Sequence, residues 1–82
     1  MKMMIGVMTR MNKNMLVSFM KLYGDRQEDL ADYLGISLQR FNAKINQTNG
    51  ARFDMLEIGK IKKKYNMTAE QVDATFFAVD VS

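Results

Sequence analysis

The amino-acid sequence predicts a compact all-α domain built from five short helices. Three observations lead to this prediction. The chain of 82 residues contains no proline, its apolar residues recur at helical spacing, and helix-capping residues recur at the starts of successive segments. A chain of this length forms one domain with a small core. No window alternates polar and apolar residues in a way that demands a strand.

The chain divides into a leading segment, a helical domain and a tail. Residues 1–11 carry a cluster of methionines, and we expect them to form a flexible N-terminal segment. Residues 12–78 form the helical domain and residues 79–82 the C-terminal tail, in which a brief strand at Val79 and Val81 stays open as an alternative. No apolar run is long enough to span a bilayer, so we expect no membrane association.

Capping residues and glycine mark the first two helices. Asn12 or Asn14 begins the first helix, which stops at Gly24. Asp25, with Glu28 three residues later, predicts the cap of the second helix. Small and large apolar residues at helical spacing give each helix one buried face. These faces comprise Met15, Leu16, Phe19, Met20 and Tyr23 in the first helix, and Leu30, Ala31 and Leu34 in the second.

The third helix has a polar outer face. Gly35 ends the second helix in the left-handed conformation and Ser37 caps the third. Ile36 and Phe41 stand at the spacing of a hydrophobic staple, and Ile45 extends the inner stripe. The opposite face holds Leu38, Gln39, Asn42 and Asn46, with Arg40 and Lys44 on its flanks.

Two further helices follow a polar loop at residues 46–52. Asp54 with Glu57, and Thr68 with Gln71, stand at capping-box spacing. Two more staple pairs accompany these boxes, Phe53 with Ile58 and Met67 with Val72. The predicted core residues are Leu56, Ile58, Ile61 and Tyr65 in the fourth helix, and Val72, Phe76 and Phe77 in the fifth.

Composition and charge point away from catalysis and towards a polyanionic partner. The chain has no histidine and no cysteine, so the commonest metal ligands and the usual general base are missing. We expect no enzymatic activity, no cofactor, no metal site and no small-molecule ligand. The net charge is +3, and residues 33–53 contain cations but no acid. An acid-free basic window indicates nucleic acid as a partner.

The second and third helices together have the spacing of a helix-turn-helix motif. The six positions concerned are Leu30, Ala31, Leu34, Gly35, Ile36 and Phe41. The stretches QEDLADYLGIS (residues 27–37) and YNMTAEQV (residues 65–72) resemble the lambda-repressor-like DNA-binding domains, the Xre or Cro/repressor family. The resemblance covers residues 14–77. It implies a five-helix lambda-repressor-like fold with the third helix in the major groove of DNA.

The resemblance also implies roles for individual residues. Leu38, Gln39 and Asn42 occupy the base-reading positions, where Gln39 would pair with adenine and Leu38 would contact a thymine methyl group. The implied DNA-backbone contacts are Gln27, Ser37, Arg40, Lys44, Asn46 and Arg52. One departure from the family pattern concerns Lys44, which stands where an apolar residue is usual, with Ile45 beside it. The rotation of the third helix therefore stays open.

The implied function is that of a phage or prophage Cro-like repressor in the bacterial cytoplasm or nucleoid. Its partner would be a double-stranded DNA operator bound by a homodimer, because one small domain contacts few bases. The candidates for the dimer interface are Val72, Phe76 and Phe77, with burial in the core as the alternative. A protein-interaction module, such as an antitoxin or antirepressor on the same fold, is the alternative function.

Overall fold

Five α-helices form the body of the protein. The structure, a computed structural model, describes the backbone of residues 7–81 and the side chains of residues 11–78. The helices are α1 (Lys13–Leu22), α2 (Gln27–Leu34), α3 (Leu38–Ile45), α4 (Met55–Lys64) and α5 (Ala69–Phe76). A short 3-10 turn at Thr48–Gly50 lies between α3 and α4. The prediction of a compact globule of five helices is confirmed.

The two ends of the described chain pair as short strands. β1 (Val7–Arg10) runs antiparallel to β2 (Ala78–Val81), with Val7 opposite Val81 and Arg10 opposite Ala78. The sequence placed residues 7–11 in a flexible segment and left a strand open only in the tail. Neither segment alternates strongly by itself, so this long-range pairing has no local signal. Residues 1–6 and 82 lie outside the described part of the chain.

The predicted caps hold four of the five helices. Asn12 accepts a hydrogen bond from the backbone N–H of Met15 at 3.2 Å. Ser37 Oγ accepts from the N–H of Arg40 at 3.1 Å. The capping boxes of α4 and α5 form as predicted, from Asp54 with Glu57 and from Thr68 with Gln71. Local sequence therefore fixes these helix starts.

The start of α2 differs from the prediction. Arg26, not Asp25, is its N-cap, and the Arg26 N–H donates to Asp29 at 2.8 Å. The Asp25 carboxylate instead accepts a hydrogen bond from the Tyr65 hydroxyl at 2.8 Å and lies 3.3 Å from the Lys64 ammonium. Because a distant partner holds this carboxylate, it does not cap the helix.

A chain of aromatic rings connects α3 to α5 through the core. The rings of Phe41 and Phe53 meet edge to face with centroids 5.7 Å apart, and those of Phe53 and Phe76 do so at 6.0 Å. Each such contact contributes roughly 0.5–1.5 kcal/mol beyond burial. The other buried apolar residues are Leu16, Met20, Leu30, Ala31, Leu34, Ile45, Ile58, Ile61, Tyr65, Met67 and Val72.

One predicted core residue of α4 lies outside. Leu56 is 79% exposed, and Glu57 beside it is buried instead. Ile58, Ile61 and Tyr65 are buried as predicted. The buried side of α4 therefore includes Glu57 in place of Leu56. The carboxylate of Glu57 is accommodated there because it has a partner within the fold.

Candidate nucleic-acid interface

A tight turn joins α2 to α3 and fixes where α3 begins. Gly35 adopts φ 77° and ψ 27°, the left-handed conformation that glycine adopts at little cost. The N–H of Gly35 donates to Asp32 O at 3.1 Å and the N–H of Ile36 donates to Ala31 O at 3.0 Å. Ser37 then caps α3, so only two residues separate α2 from that cap.

The first turn of α3 presents polar and apolar side chains to solvent. Phe41 and Ile45 face the core, and their burial leaves the opposite side of the helix outward. Gln39 and Arg40 lie on this outward side and are exposed. Leu38, the first residue of the helix, instead shares the side of Phe41 and Ile45 and is 43% exposed. This surface offers an amide, a guanidinium and an apolar group without a carboxylate between them.

The second turn of α3 is less accessible. Asn42, predicted to read bases, is half-buried, and its backbone carbonyl accepts a hydrogen bond from the Asn46 side chain at 3.0 Å. Of the three predicted base-reading residues, Leu38 and Gln39 are therefore the better placed for contact with a ligand outside.

Lys44 does not lie with the exposed flanking cations where the sequence placed it. Its ammonium is 2.7 Å and 2.8 Å from the two carboxylate oxygens of Glu57. The two side chains are only 13% and 10% exposed. Glu57 also accepts a hydrogen bond from the N–H of Asp54 at 2.9 Å. In this arrangement the charge of Lys44 is directed at α4 and not at a DNA backbone.

The C-terminal end of α3 carries a cation that sequence analysis missed. The Lys13 ammonium donates to Asn46 Oδ1 at 2.7 Å, and Asn46 is the C-cap of α3. Both polar atoms of the Asn46 side chain are therefore engaged within the protein. Thirty-three positions separate Lys13 from Asn46, so no local pattern could have found this pair. A lysine here also suits the negative end of the helix dipole.

The N-terminal turn of α2 combines one cation with two carboxylates. Gln27, a predicted backbone contact, is its first residue and is half-buried. The Arg26 guanidinium lies 3.3 Å from Glu28 and 3.4 Å from Asp29. The backbone N–H of Arg26, followed by its side chain, lowers the pKa of Asp29 below its ordinary value. Two carboxylates therefore lie beside the N–H groups that a phosphate would approach.

The loop between α3 and α4 is shaped by left-handed residues. Gln47, Asn49 and Gly50 have φ of 54°, 53° and 81°. Asparagine and glycine accept this conformation readily, whereas glutamine rarely adopts it. Arg52, a predicted backbone contact, is exposed at the end of this loop.

The residues proposed for a dimer interface lie mainly in the core. Val72 and Phe76 are buried, and Phe77 is partly buried against the same core. The alternative of core burial therefore holds for Val72 and Phe76. Of these three, Phe77 alone retains surface for a contact with another molecule.

The described residues include no cluster suited to a metal ion. A pocket of about 100 Å³ lies beside the loop before α4, and its lining includes Phe53, Phe77 and Arg52. This volume is below the roughly 300–1,000 Å³ that is usual for small-molecule sites. Among the described residues, no helix is both long and apolar enough to cross a membrane.

Comparison with known proteins identified no relative of this chain. No protein-family model matches the chain, and neither a curated protein nor a solved structure matches it.

Proposed function

We propose that this protein is a sequence-specific transcriptional regulator that binds double-stranded DNA and places α3 in the major groove. The observation that carries the proposal is the exposed first turn of α3, where Leu38, Gln39 and Arg40 reach solvent. Residues 33–53 contain no acid, so this surface does not repel phosphate through charges of its own segment. The α2–turn–α3 spacing that resembles the lambda-repressor-like domains supports the same proposal.

Each exposed side chain of this turn has a role in the proposal. Gln39 offers the paired donor and acceptor that fit the N7 and N6 groups of adenine. Leu38 offers an apolar contact to a thymine methyl group, and Arg40 a contact to phosphate. Ser37 and Arg52 are exposed and are proposed as further backbone contacts. Gln27 is the weaker candidate, because the carboxylates of Glu28 and Asp29 lie beside it. Asn42, which is half-buried, is the third candidate for a base contact.

The regulator is proposed to act as a repressor of the Cro-like phage or prophage kind, which occludes a promoter. Two copies would occupy paired half-sites about one helical turn apart, because one domain of this size reads few bases. The burial of Val72 and Phe76 leaves them no part in the contact between copies while the domain is folded as described.

A protein-interaction module is the second candidate, and one observation favours it. Met55 and Leu56 are adjacent at the start of α4, and they are 70% and 79% exposed. Adjacent large apolar side chains that are both exposed are more typical of protein–protein contact surfaces than of surfaces that stay in contact with solvent. An antitoxin or antirepressor would use such residues to bind another protein, and an absence of duplex binding would favour this candidate.

Salt-dependent binding to duplex DNA tests the proposed function. Affinity is expected to fall steeply between about 50 and about 200 mM salt, because phosphate contacts release counterions. Arg40→Ala is expected to weaken binding to all sequences and to reduce the salt slope by about one unit. Lys62→Ala removes the same charge from an exposed position on α4 and serves as the matched control. Equal losses in both variants, or no binding by the parent chain, would contradict the proposal.

A further inference from the structure

Three hydrogen bonds meet at the carboxylate of Glu57. Two come from the ammonium of Lys44, at 2.7 Å and 2.8 Å, and the third comes from the N–H of Asp54 at 2.9 Å. Lys44 belongs to the last turn of α3 and Glu57 to the first turn of α4. The carboxylate therefore joins these two helices directly across the loop between them.

Hydrophobic contacts alone leave one rotation of α3 weakly fixed. Its two fully buried residues are Phe41 and Ile45, which stand about one turn apart and therefore lie almost on one line along the helix. Such a line fixes the distance of α3 from the core, but it resists rotation about the helix axis poorly. Lys44 lies about 100° around the helix from Ile45, so its buried bond to Glu57 adds a second line of attachment, beside the exposed bond of Lys13 to Asn46 at the end of the helix.

Rotation of α3 decides which side chains face outward. Gln39 and Asn42 are three residues apart, about 60° around the helix axis, so a rotation of α3 would change the directions of both side chains together. At present Gln39 is exposed and Asn42 half-buried. The direction of the Lys44–Glu57 bond thus selects the surface that α3 presents.

The pair also controls the charge near α3. Asp54 and Glu57 are the first two acids that follow α3 in the chain. An unpaired carboxylate at Glu57 would repel a nearby polyanion. Lys44 neutralises that carboxylate, and its own ammonium is in turn held back from solvent. A lysine released from this bond would be free to extend its long side chain towards phosphate.

We propose that Lys44 and Glu57 are positioning residues that fix the rotation of α3 and withhold one cation from the DNA backbone. The pair raises discrimination between sequences, because it orients Gln39 and removes a contact that every sequence offers equally. The part of this inference that concerns DNA rests on the proposed function. The part that concerns the rotation of α3 stands on the geometry of the pair alone.

Glu57→Gln tests the inference, with Glu70→Gln as the matched control. Both substitutions remove one carboxylate, and Glu70 is exposed on α5. In Glu57→Gln, amide hydrogen exchange in residues 41–46 is expected to accelerate by about tenfold more than in α1 and α5. Glu70→Gln should leave this difference unchanged. Exchange that is equally affected in all helices, or equally in both variants, overturns the positioning role.

DNA binding by the same variants tests the second half of the inference. Glu57→Gln is expected to steepen the salt dependence by about 0.9 in logarithmic slope, because Lys44 gains one phosphate contact. The ratio of affinities for a selected and a scrambled duplex should fall at the same time. An unchanged slope and ratio overturn the charge-withholding role. If the parent chain binds no duplex, the proposed function and that role fail, while hydrogen exchange still tests the rotation.

Lys44→Arg keeps the inference testable if Glu57→Gln folds poorly. A guanidinium preserves the charge and is able to bond both oxygens of the carboxylate. Exchange in residues 41–46 is expected to stay within about threefold of the parent protein in this variant. A loss of protection in Lys44→Arg as large as that in Lys44→Met would overturn the positioning role.

Discussion

The ammonium of Lys44 lies 2.7 Å and 2.8 Å from the two carboxylate oxygens of Glu57, thirteen positions further along the chain. An apolar residue is usual at the position of Lys44 in the helix-turn-helix pattern that the sequence resembles, and Glu57 provides the lysine with a partner there. A long side chain with a paired charge occupies the boundary of the core there, and Ile45 is buried beside it. The apolar inner side of α3 is thereby preserved.

Lys44→Met is expected to lower the free energy of unfolding by about 3 kcal/mol, because it leaves the buried Glu57 carboxylate without its counter-ion. Adding Glu57→Gln to this variant removes the unpaired charge and should recover part of the loss. Urea-induced unfolding of the parent, both single variants and the double variant measures the coupling. Strictly additive effects would show that the two side chains do not interact.

Gly35→Ala is expected to destabilise the fold by about 1 kcal/mol, since a residue with a Cβ is strained at φ 77°. Gly59→Ala is the control within a helix. Gly59 lies in α4, and an added Cβ there would meet no atom within 4 Å. That substitution should stabilise the protein by up to about 1 kcal/mol. Thermal unfolding of the two variants should therefore show shifts of opposite sign, and shifts of the same sign would refute the assignment of Gly35 to the turn.

The stability of the protein is expected to fall at alkaline pH because of Tyr65. Burial, followed by the hydrogen bond to Asp25, raises the pKa of the Tyr65 hydroxyl above its ordinary value. The unfolded chain loses this proton at about pH 10 while the folded chain retains it. The contribution of the Tyr65 hydroxyl to the free energy of unfolding is therefore complete below about pH 10. It declines at higher pH by up to about 1.4 kcal/mol per pH unit.

Tyr65→Phe isolates this effect. At neutral pH the variant should be less stable by about 1.5 kcal/mol, because it lacks the hydrogen bond to a carboxylate. Above about pH 10 the difference between variant and parent should shrink. Denaturant unfolding at a series of pH values provides the comparison, and a difference that stays constant would rule out Tyr65 as the source.

Phe76→Ala is expected to lower the free energy of unfolding by about 3–5 kcal/mol, because its ring is buried against Phe53. A loss from the core of one chain does not depend on protein concentration. Unfolding is measured over roughly a hundredfold range of protein concentration, because dissociation of a dimer would make the stability depend on concentration. Phe76→Ala should lower the free energy of unfolding by the same amount at every concentration. A loss that grows with concentration would instead assign Phe76 to an interface between copies.

Local rules predicted much of the fold. Ser37, Asp54 and Thr68 cap their helices as expected, because capping depends only on residues three positions apart. The left-handed conformation of Gly35 follows equally from its place after an apolar helix end. The outward direction of Gln39 follows from the periodicity of Phe41 and Ile45, whereas Leu38 shares the side of these two residues and is 43% exposed at the start of α3.

Contacts between distant residues account for what the sequence could not predict. Asp25 has the composition of a helix cap, but Tyr65, forty positions away, takes its carboxylate. Leu56 fits an apolar stripe, but Glu57 takes the buried position because Lys44 neutralises it. The pairing of β1 with β2 likewise joins opposite ends of the chain. Contacts between residues far apart in the chain leave no periodic pattern in the local sequence.

Selection of bound duplexes from a pool of random DNA tests whether α3 recognises base sequence. The parent chain is expected to enrich a defined sequence. Gln39→Ala is expected to lose about 1–3 kcal/mol of discrimination at one base pair of that sequence while overall binding persists. A pool that remains random after repeated selection, or an enriched sequence that Gln39→Ala leaves unchanged, would contradict direct base recognition by α3.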